Sequence, residues 1–476
     1  MSVLAQPTPR PQPARGWFFP VGLVLLVTAW LILFGSYGWM LVTRYCAEHF
    51  DFGIYVQAIA GFSWHDLNPW LSARGVHIFN DHFDPIVLTA LLFRSFLSPS
   101  WAALVTEQTF ILASLLPIAW LWAKGRLGGI EALTLCSLLL FSVGTVDAAA
   151  FPVHPTTWTL FPAMLLAVAW IGTSDVLLLV ALLLFFSCKE EHVFCGPFLA
   201  LGLLTQGRAA RVAWAALLLS VLWGTFVFLL RPQLLGPTIP YLRDTLAEFS
   251  RAPTATLIAS ARAPELRRLG TLLVPFIPFA VWSARTKLAP SWALLLATLP
   301  LLASRFLAGK WAYQYGPPLI GLWVAALVPA LAWRRVARWV PLATFILLAT
   351  SLENPLRSAI ARLSPSRPAA CSGDPSRLEG LQTGVAYLHQ HREDAALVSS
   401  TLVAPLADRP EIYALGSSQR LSRSPYRYLF LEKPPYGYDW PLSGEEVYVK
   451  IEAYRRQRDT RVIFENQYVL LAEGNF

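Results

Sequence analysis

Two polar clusters lie close together near the start of a chain that is otherwise mostly apolar. Asp51 and Gln57 come first, and Asp81, His82 and Asp84 follow. A carboxylate such as Asp51 can take a proton from an attacking hydroxyl or help to hold a divalent cation. It can equally be a solvated residue that caps a helix, and its position alone favours that ordinary interpretation.

The second of these clusters has the composition of a site for a hard cation. Asp81, His82 and Asp84 bring three potential ligands into one short stretch, and carboxylate oxygens are the ligands that Mg²⁺ and Mn²⁺ prefer. The same residues fit a helix cap followed by solvated side chains. The sequence leaves both interpretations open, with Asp84 as the predicted metal ligand.

A third cluster, Lys189-Glu190-Glu191-His192, lies between two short apolar runs. Charges at membrane depth are costly unless they are paired or face a water-filled cavity, so such residues mark functional sites. The ordinary alternative is a Lys–Glu pair in a hairpin at the level of the lipid headgroups. Because the flanking runs are shorter than the ~20 residues of a full crossing, we favour a functional role for Lys189 and Glu190.

The remaining candidates are single residues near the ends of apolar segments. His154 lies between prolines, where a lone histidine is more often a polar anchor than a ligand. Arg305, Lys310 and Tyr313 can bind a lipid phosphate through charge-assisted hydrogen bonds. Snorkelling and an interfacial aromatic belt explain the same three residues equally well.

Composition identifies the solvent in which most of this chain lies. Of 476 residues, 55% are hydrophobic and 14% are charged, whereas a soluble protein carries about a quarter charged residues. The net charge of +9 comes largely from arginines in short loops between apolar runs, which indicates membrane topology and not nucleic-acid binding. We therefore predict a polytopic helical bundle with about eleven spans.

The charges that flank the predicted spans indicate how the spans are oriented across the membrane. With the N-terminal segment 1–16 in the cytoplasm, four basic loops fall on the inner side, as the positive-inside rule requires. The acidic and histidine clusters then fall on the outer side, which includes a large first outer loop at 44–100. The run 85–97 is read as an interfacial helix. The predicted spans are 17–43, 101–123, 130–150, 155–171, 175–188, 192–206, 210–230, 269–284, 289–307, 313–332 and 337–352.

The chain after the last predicted span has a different pattern. A Pro/Ser/Arg linker in the segment from 353 leads into strands mixed with short helices, which predicts a small extracytoplasmic α/β domain over 353–476. The membrane domain is then 17–352. Predicted helices lie at 378–391, 401–408 and 444–457, and predicted strands at 395–400, 411–415, 427–432, 460–465 and 467–472.

Taken in order, these segments resemble an uncharacterised family of bacterial and archaeal multi-pass proteins, known as predicted membrane proteins of unknown function. That family is in turn similar to the GT-C superfamily of membrane glycosyltransferases. The resemblance covers about 44–432 of the chain. The segments that carry it are Asp51 to Gln57, Asn80 to Pro85, Phe151 to Pro155, Cys188 to Glu191, Trp311 to Pro318 and Leu397 to Tyr413.

The resemblance implies a reaction on the outer face of the cytoplasmic membrane. GT-C enzymes use polyprenyl-phosphate-linked sugars, and an acidic residue of the first outer loop serves as base or metal partner, a position that Asp51 matches. Two features depart from the pattern. An Asp-Phe-His triplet is represented only by Phe151 and His154, and a later histidine motif is reduced to Tyr313-Gln-Tyr315. Both weaken the case for an inherited metal role.

The implied function is transfer of a sugar from a polyprenyl-phosphate donor to an acceptor that the sequence does not identify. Asp51 is its predicted base, and Gln57, His82, His154, Lys189, Glu190, Arg305, Lys310 and Tyr313 are predicted to bind substrate. A divalent cation, Mg²⁺ or Mn²⁺, is the only cofactor considered, and membrane lipid is the expected partner. The alternatives are a transporter or flippase for a lipid-linked or polar solute, and a non-catalytic membrane assembly protein.

Overall fold

The computed structural model describes residues 17–45, 50–205, 210–239, 241–260, 263–286, 291–308, 313–333, 336–350, 373–416, 426–435, 439 and 442–476. The chain forms two compact units. The first unit comprises Met1–Ile32, His82–Ile86 and Glu107–Ala359, and the second comprises Leu33–Asp81, Val87–Thr106 and Ile360–Phe476.

Helices dominate the chain up to residue 350. The α-helices are Phe18–Trp30, Ser36–Thr43, Phe50–Gly61, Ile78–Asp81, Leu91–Arg94, Pro99–Ala113, Leu115–Ala123, Gly129–Phe141, Val143–Ala149, Leu160–Gly172, Asp175–Phe186, Cys195–Thr205, Ala210–Thr225, Arg231–Leu235, Tyr241–Arg251, Pro253–Ser260, Ala263–Leu273, Ile277–Thr286, Trp292–Leu296, Leu299–Ala308, Pro317–Trp333, Trp339–Thr350, Pro375–Gln390 and Gly444–Arg455. Short 3₁₀ turns are Pro85–Ala90, Pro155–Thr159, Glu190–Phe194, Val274–Phe276, Tyr313–Tyr315 and Ser400–Leu402, and π segments are Leu31–Gly35 and Phe226–Leu230.

Several of these helices combine into continuous stretches that can cross a bilayer. Among the described residues, five helices are long and apolar enough to do so, and a sixth span results if one bent pair is counted as a single crossing. The chain is therefore embedded in a membrane. The five spans are Phe18–Thr43, Pro99–Ala123, Pro155–Gly172, Ala210–Leu235 and Leu266–Thr286, and the bent pair is Gly129–Phe141 with Val143–Ala149.

The predicted count of eleven spans is not confirmed. The run predicted at 130–150 bends by 47° at Ser142, and the runs predicted at 175–188 and 192–206 are the helices Asp175–Phe186 and Cys195–Thr205. At a rise of 1.5 Å per residue, helices of this length cover about half of a hydrocarbon core. The run expected to be interfacial at 85–97 contains the short apolar helix Pro85–Arg94.

Close helix contacts in the first unit depend on small residues. A Cβ atom on Gly202 would lie 2.2 Å from the Cα atom of Ala293, so the helices that carry these residues touch through their backbones. A Cβ atom on Gly316 would lie 2.5 Å from the Cα atom of Gly144. Small residues at such crossings are typical of helix packing in membranes. The second contact fixes the chain directly beside Tyr315.

The second unit contains a five-stranded mixed sheet with a helix on each face. Its strand order is β4-β3-β5-β7-β6, and β3 is parallel to both of its neighbours. The helix Pro375–Gln390 packs on one face of the sheet and Gly444–Arg455 on the other. The strands are β1 Trp70–Leu71, β2 Val76–His77, β3 Ala396–Val398, β4 Ile412–Ala414, β5 Tyr428–Glu432, β6 Arg461–Glu465 and β7 Val469–Glu473.

Most of the elements predicted after residue 373 are confirmed. All five predicted strands overlap observed ones, as do the helices predicted at 378–391 and 444–457. The helix predicted at 401–408 is instead the 3₁₀ turn Ser400–Leu402 followed by further turns. The predicted linker at 364–368 lies outside the described residues, and the domain boundary at 353 stays a prediction.

Part of the segment predicted to be the first outer loop, 44–100, belongs to the same compact unit as this sheet. Ala73 lies in the hydrophobic core beneath the sheet together with Leu381 and Val398, and Tyr45 packs against that core. The antiparallel pair β1–β2 also comes from this loop. The loop therefore supplies part of the interior of the unit that the C-terminal residues form.

Candidate functional site

In the first unit, the charged cluster predicted at 189–192 forms a 3₁₀ turn, Glu190–Phe194, between two apolar helices. The preceding helix ends at Phe186, and Lys189 then takes an extended conformation with φ −169° and ψ 146°. Glu190 and Glu191 occupy the first turn. The sequence ends the helix here because consecutive charged side chains cannot continue an apolar helix surface, so they collect in the connection.

Two cations of this site lie over one aromatic ring. The Lys189 Nζ atom is 5.4 Å from the centroid of the Tyr315 ring, and the Arg305 Cζ atom is 4.3 Å from it. Both distances are within the range of a cation–π attraction. Arg305, 2% exposed, also forms an ion pair with Glu191. The geometry thus holds Lys189, Arg305 and Glu191 around Tyr315.

A histidine and a carboxylate form the second part of the site. His82 Nδ1 lies 2.8 Å from Glu190 Oε1, and the backbone N–H of Phe83 donates to Glu190 Oε2 over 3.2 Å. Because an ionised carboxylate only accepts hydrogen bonds, Nδ1 carries the hydrogen in this arrangement. The ring of His82 stacks on Tyr241, with centroids 4.6 Å apart. The site therefore fixes both the position and the tautomer of His82.

Some polar atoms in and beside this turn have no hydrogen-bond partner within the described part of the chain. They are Arg305 Nε, Gln314 Oε1 and His192 Nε2, and all three residues are buried. A buried polar atom without a hydrogen bond costs about 1–3 kcal/mol. Arg305 Nε is a donor that can bind an anion. Gln314 Oε1 is an acceptor, and so is His192 Nε2, because the Nδ1 atom of His192 faces the carbonyl oxygen of Phe185; both suit a hydroxyl group.

The predicted metal cluster is divided between an ion pair and a hydrogen bond. Asp81 accepts from Arg74 over 3.1 Å, whereas His82 contacts Glu190. Asp84 is 1% exposed. Within the described residues no group of three or more His, Cys, Asp or Glu side chains could hold a metal ion. Binding of Mg²⁺ or Mn²⁺ through Asp84 stays a prediction.

Asp51 and Gln57 lie on a helix of the second unit. Asp51 is half-buried in the first turn of Phe50–Gly61. Gln57 is buried, and both ends of its amide are engaged: Nε2 donates to Ser72 Oγ over 2.8 Å and Oε1 accepts from the backbone of Ala73 over 3.3 Å. These bonds hold the helix against the β1 strand region.

His154 packs within the first unit, away from the turn at 190–194 in sequence. Its Nδ1 atom is 3.1 Å from the carbonyl oxygen of Phe151, on whose ring it stacks. Its backbone N–H lies 3.5 Å from an oxygen of Glu107, a fully buried acid within the span Pro99–Ala123. Lys310 lies outside the described residues, as does the side chain of Tyr313.

Sequence reasoning missed several residues that the structure brings to these sites. Tyr241, which stacks on His82, sits in an amphipathic helix and carries no local signal. Gln314 lies between Tyr313 and Tyr315, where a neutral amide gives no local signal of a site. Glu107 could have been found, because an acid within an otherwise apolar span marks a functional site by default.

A comparison with known families bears on the whole chain. A family described as "Predicted membrane protein (DUF2079)" matches residues 41–440. The chain belongs to the DUF2079 family. This confirms the predicted membership of an uncharacterised family of membrane proteins. No curated protein matches the chain. For this DUF2079 protein, similarity to the GT-C superfamily stays a prediction.

Proposed function

We propose that this DUF2079 protein transfers a sugar from a polyprenyl-phosphate donor to an acceptor on the outer face of the cytoplasmic membrane. The observation that carries the proposal is the pair of cations over Tyr315, next to buried polar atoms without partners. A lipid-linked phosphate needs cationic donors close to the membrane, and this cluster supplies Lys189 and Arg305 within a membrane-embedded unit.

The proposed step forms one bond and breaks one. The acceptor hydroxyl oxygen attacks the anomeric carbon, and the bond from that carbon to the phosphate oxygen breaks with its electron pair going to the phosphate. Asp51 takes the hydroxyl proton as general base. The configuration at the anomeric carbon is inverted, because attack and departure occur on opposite faces.

The cations act on the leaving group. As the bond breaks, the phosphate changes from a singly charged diester to a monoester with greater negative charge, and fixed positive groups stabilise that change. Arg305 is held by Glu191 and Tyr315, so little reorganisation is needed when the charge develops. Lys189 supplies the second positive charge.

The other predicted residues have supporting roles in the proposal. His82 and Glu190 form a hydrogen-bonded pair that shapes the donor site, and Lys310 and Tyr313 extend the same chain segment as Tyr315. Gln57 and His154 contact substrate less directly, since both side chains bond their own surroundings. A divalent cation near Asp84 would offset phosphate charge in the same way as the lysine and arginine.

The test uses detergent-purified protein and a panel of polyprenyl-phosphate sugars. Mass spectrometry follows donor consumption and product formation for wild type, Asp51→Asn and Lys189→Gln, with Mg²⁺, Mn²⁺ or EDTA added. We expect wild type to consume at least one donor, Asp51→Asn to lose turnover by at least about 100-fold while still binding donor lipid, and Lys189→Gln to bind it more weakly. Equal donor consumption by wild type and Asp51→Asn would show that Asp51 is not the general base.

Transport of a lipid-linked or polar solute is the second candidate, and Glu107 is the observation that favours it. This acid is 0% exposed within a membrane span, and intramembrane acids often belong to transport pathways. In proteoliposomes, solute movement that depends on Glu107 and not on Asp51 would support the transporter. If donor lipid binds but neither turnover nor movement occurs, the assembly-protein alternative is supported.

A further inference from the structure

The helix that carries Asp51, Phe50–Gly61, is held at several points by the C-terminal part of its own unit. The first point is at Arg44, which precedes the helix in the chain. Arg377, which is fully buried, donates from Nη1 to the carbonyl oxygen of Arg44 over 2.9 Å. Its Nε donates to Glu432 Oε1 over 3.0 Å. The backbone at Arg44 is therefore fixed to strand β5 by a buried guanidinium.

The second point is a direct contact between helix and turn. A Cβ atom on Gly53 would lie 2.7 Å from Val403 Cγ1 and 2.8 Å from Val403 Cβ, distances that real Cβ contacts essentially never show. Val403 is fully buried and follows the 3₁₀ turn Ser400–Leu402. Gly53 thus lets the helix lie directly on the turn that leaves strand β3.

The third point lies one turn further along the helix. Gln57 Nε2 donates to Ser72 Oγ over 2.8 Å. Ser72 Oγ in turn donates to the carbonyl oxygen of Ile412 over 2.9 Å and lies 3.0 Å from the backbone nitrogen of the same residue. Through Ser72 the helix is thereby connected to Ile412 of strand β4, which is 340 residues from Ser72 in the chain.

We propose that the C-terminal part of this unit sets the position of the Asp51 carboxylate, with Gly53, Val403 and Arg377 as positioning residues. The inference rests on the proposed function, in which Asp51 is the base. Asp51 lies two residues before Gly53 on the same helix. Any displacement of the helix at Gly53 therefore moves the carboxylate.

Positioning of this kind acts on the rate and not on donor binding. A base must lie within hydrogen-bond reach of the proton that it removes, and a misplacement of about 1 Å can cost roughly 100-fold in rate. A displaced base does not alter the groups that bind the donor phosphate. We therefore expect substitutions at Gly53 to lower kcat and to leave KM for the donor within about twofold.

The experiment compares Gly53→Ala with Gly53→Ala/Val403→Gly in full-length protein in nanodiscs. Alanine at 53 pushes the helix away from Val403, and glycine at 403 removes both atoms that it would strike. Val403→Ala is not sufficient, because Val403 Cβ alone lies 2.8 Å from the added atom. Val403→Gly alone shows how much the loss of the Val403 side chain by itself changes kcat and amide exchange. Gly35→Ala is the matched control, since nothing lies within 4 Å of its Cβ position.

Two readouts are taken for each variant: kcat and KM per folded protein, and hydrogen exchange of the amides of Phe50–Gly61. We expect a fall in kcat of about 10- to 100-fold in Gly53→Ala, faster amide exchange in this helix, and recovery of both in the double variant. Gly35→Ala stays at wild-type values. An unchanged kcat per folded molecule in Gly53→Ala, or no recovery in the double variant, overturns the proposal.

The two readouts separate this inference from the proposed function. If wild type consumes no donor, the proposed function fails, and hydrogen exchange still reports whether Val403 holds the helix. Unchanged exchange in Gly53→Ala would then overturn the positioning role as well. If wild type is active and exchange changes without any change in kcat, the contact is structural only and the positioning role is wrong.

Discussion

Two buried arginines, one in each unit, are paired in opposite ways. In the second unit, Arg377 donates to Glu432 and to the carbonyl oxygen of Arg44, so its guanidinium is used by the protein itself. In the first unit, Arg305 contacts Glu191 and Tyr315, but its Nε has no hydrogen-bond partner among the described residues. We call the Arg377 arrangement closed, because the protein supplies the partners of its guanidinium. We call the Arg305 arrangement open, because one nitrogen of its guanidinium is left to bind a ligand.

The closed arrangement continues through the neighbouring acids of the second unit. Thr401 Oγ1 donates to Glu432 Oε2 over 2.7 Å, and Asp439 accepts from Ser399 Oγ over 3.0 Å and from the backbone of Ser400 over 2.7 Å. Burial raises the pKa of Asp439 to about 6 although these hydrogen bonds act in the other direction. The difference between Arg377 and Arg305 is that the protein supplies the partners of the first, whereas the Nε of the second is left for the ligand that we propose.

The largest expected effect comes from breaking the closed arrangement. Arg377→Met leaves the Glu432 carboxylate buried without its cation, and such a loss costs about 3–5 kcal/mol. We expect the free energy of unfolding of the second unit to fall by that amount. Denaturant-dependent hydrogen exchange of the amides of Tyr428–Glu432 measures it. Arg377→Met/Glu432→Leu removes the whole pair and should be less destabilised than the single variant. A single variant as stable as wild type would contradict the comparison.

Titration of Asp439 gives the next largest effect. The pKa of Asp439 is raised from 3.8 to about 6 in the folded protein. Between these two pH values the native state keeps a proton that the unfolded state has lost. This contribution is fully present below pH 3.8 and is lost as the pH rises through about 6, a change of about 3 kcal/mol. Burial also raises the pKa of Glu432, which faces Arg377, to about 7, and its titration acts with the same sign.

The measurement for Asp439 is the difference between wild type and Asp439→Asn across pH 4 to 8. We expect wild type to lose stability relative to the variant as the pH rises, because asparagine cannot ionise. The asparagine can keep both bonds, accepting from the Ser400 backbone and donating to Ser399 Oγ. Parallel stability curves for the two proteins would show that Asp439 is ionised throughout and that its burial is compensated.

Local sequence patterns are sufficient to predict the strands of the sheet in the second unit. Strands such as Tyr428–Glu432 and Val469–Glu473 are short apolar runs bounded by turn residues, and the helix Gly444–Arg455 begins with a capping box at Ser443. These signals lie within a few residues of the element that they specify, so a single sequence carries them.

Two features depended on contacts that no local pattern carries. The number of continuous spans depends on the 47° bend at Ser142, within a run that is apolar on both sides. The joining of the predicted first outer loop to the sheet depends on Ser72 and Ile412, which are 340 residues apart. The candidate site is intermediate: the 189–192 cluster was visible in the sequence, but its pairing with His82, 108 residues away, was not.

Substitution of Arg305 tests whether the open arrangement in the first unit binds a lipid phosphate. Hydrogen bonds to charged groups contribute about 1.5–3 kcal/mol, and every 1.4 kcal/mol is tenfold in affinity. We therefore expect Arg305→Gln to weaken binding of a polyprenyl phosphate by roughly 10- to 100-fold, measured by titration of protein in nanodiscs. Arg211→Gln is the matched control, since Arg211 also pairs with an acid, Asp175, but its side chain is 82% exposed.

A second variant separates loss of a donor from repulsion by the acid left behind. Arg305→Gln removes the partner of Glu191, whose negative charge would then repel the phosphate. In Arg305→Gln/Glu191→Gln that repulsion is absent, so any remaining loss of affinity measures the contacts that Arg305 itself makes with the lipid. Full recovery in the double variant would mean that Arg305 serves only to neutralise Glu191, and the contrast between an open and a closed buried charge would then be wrong.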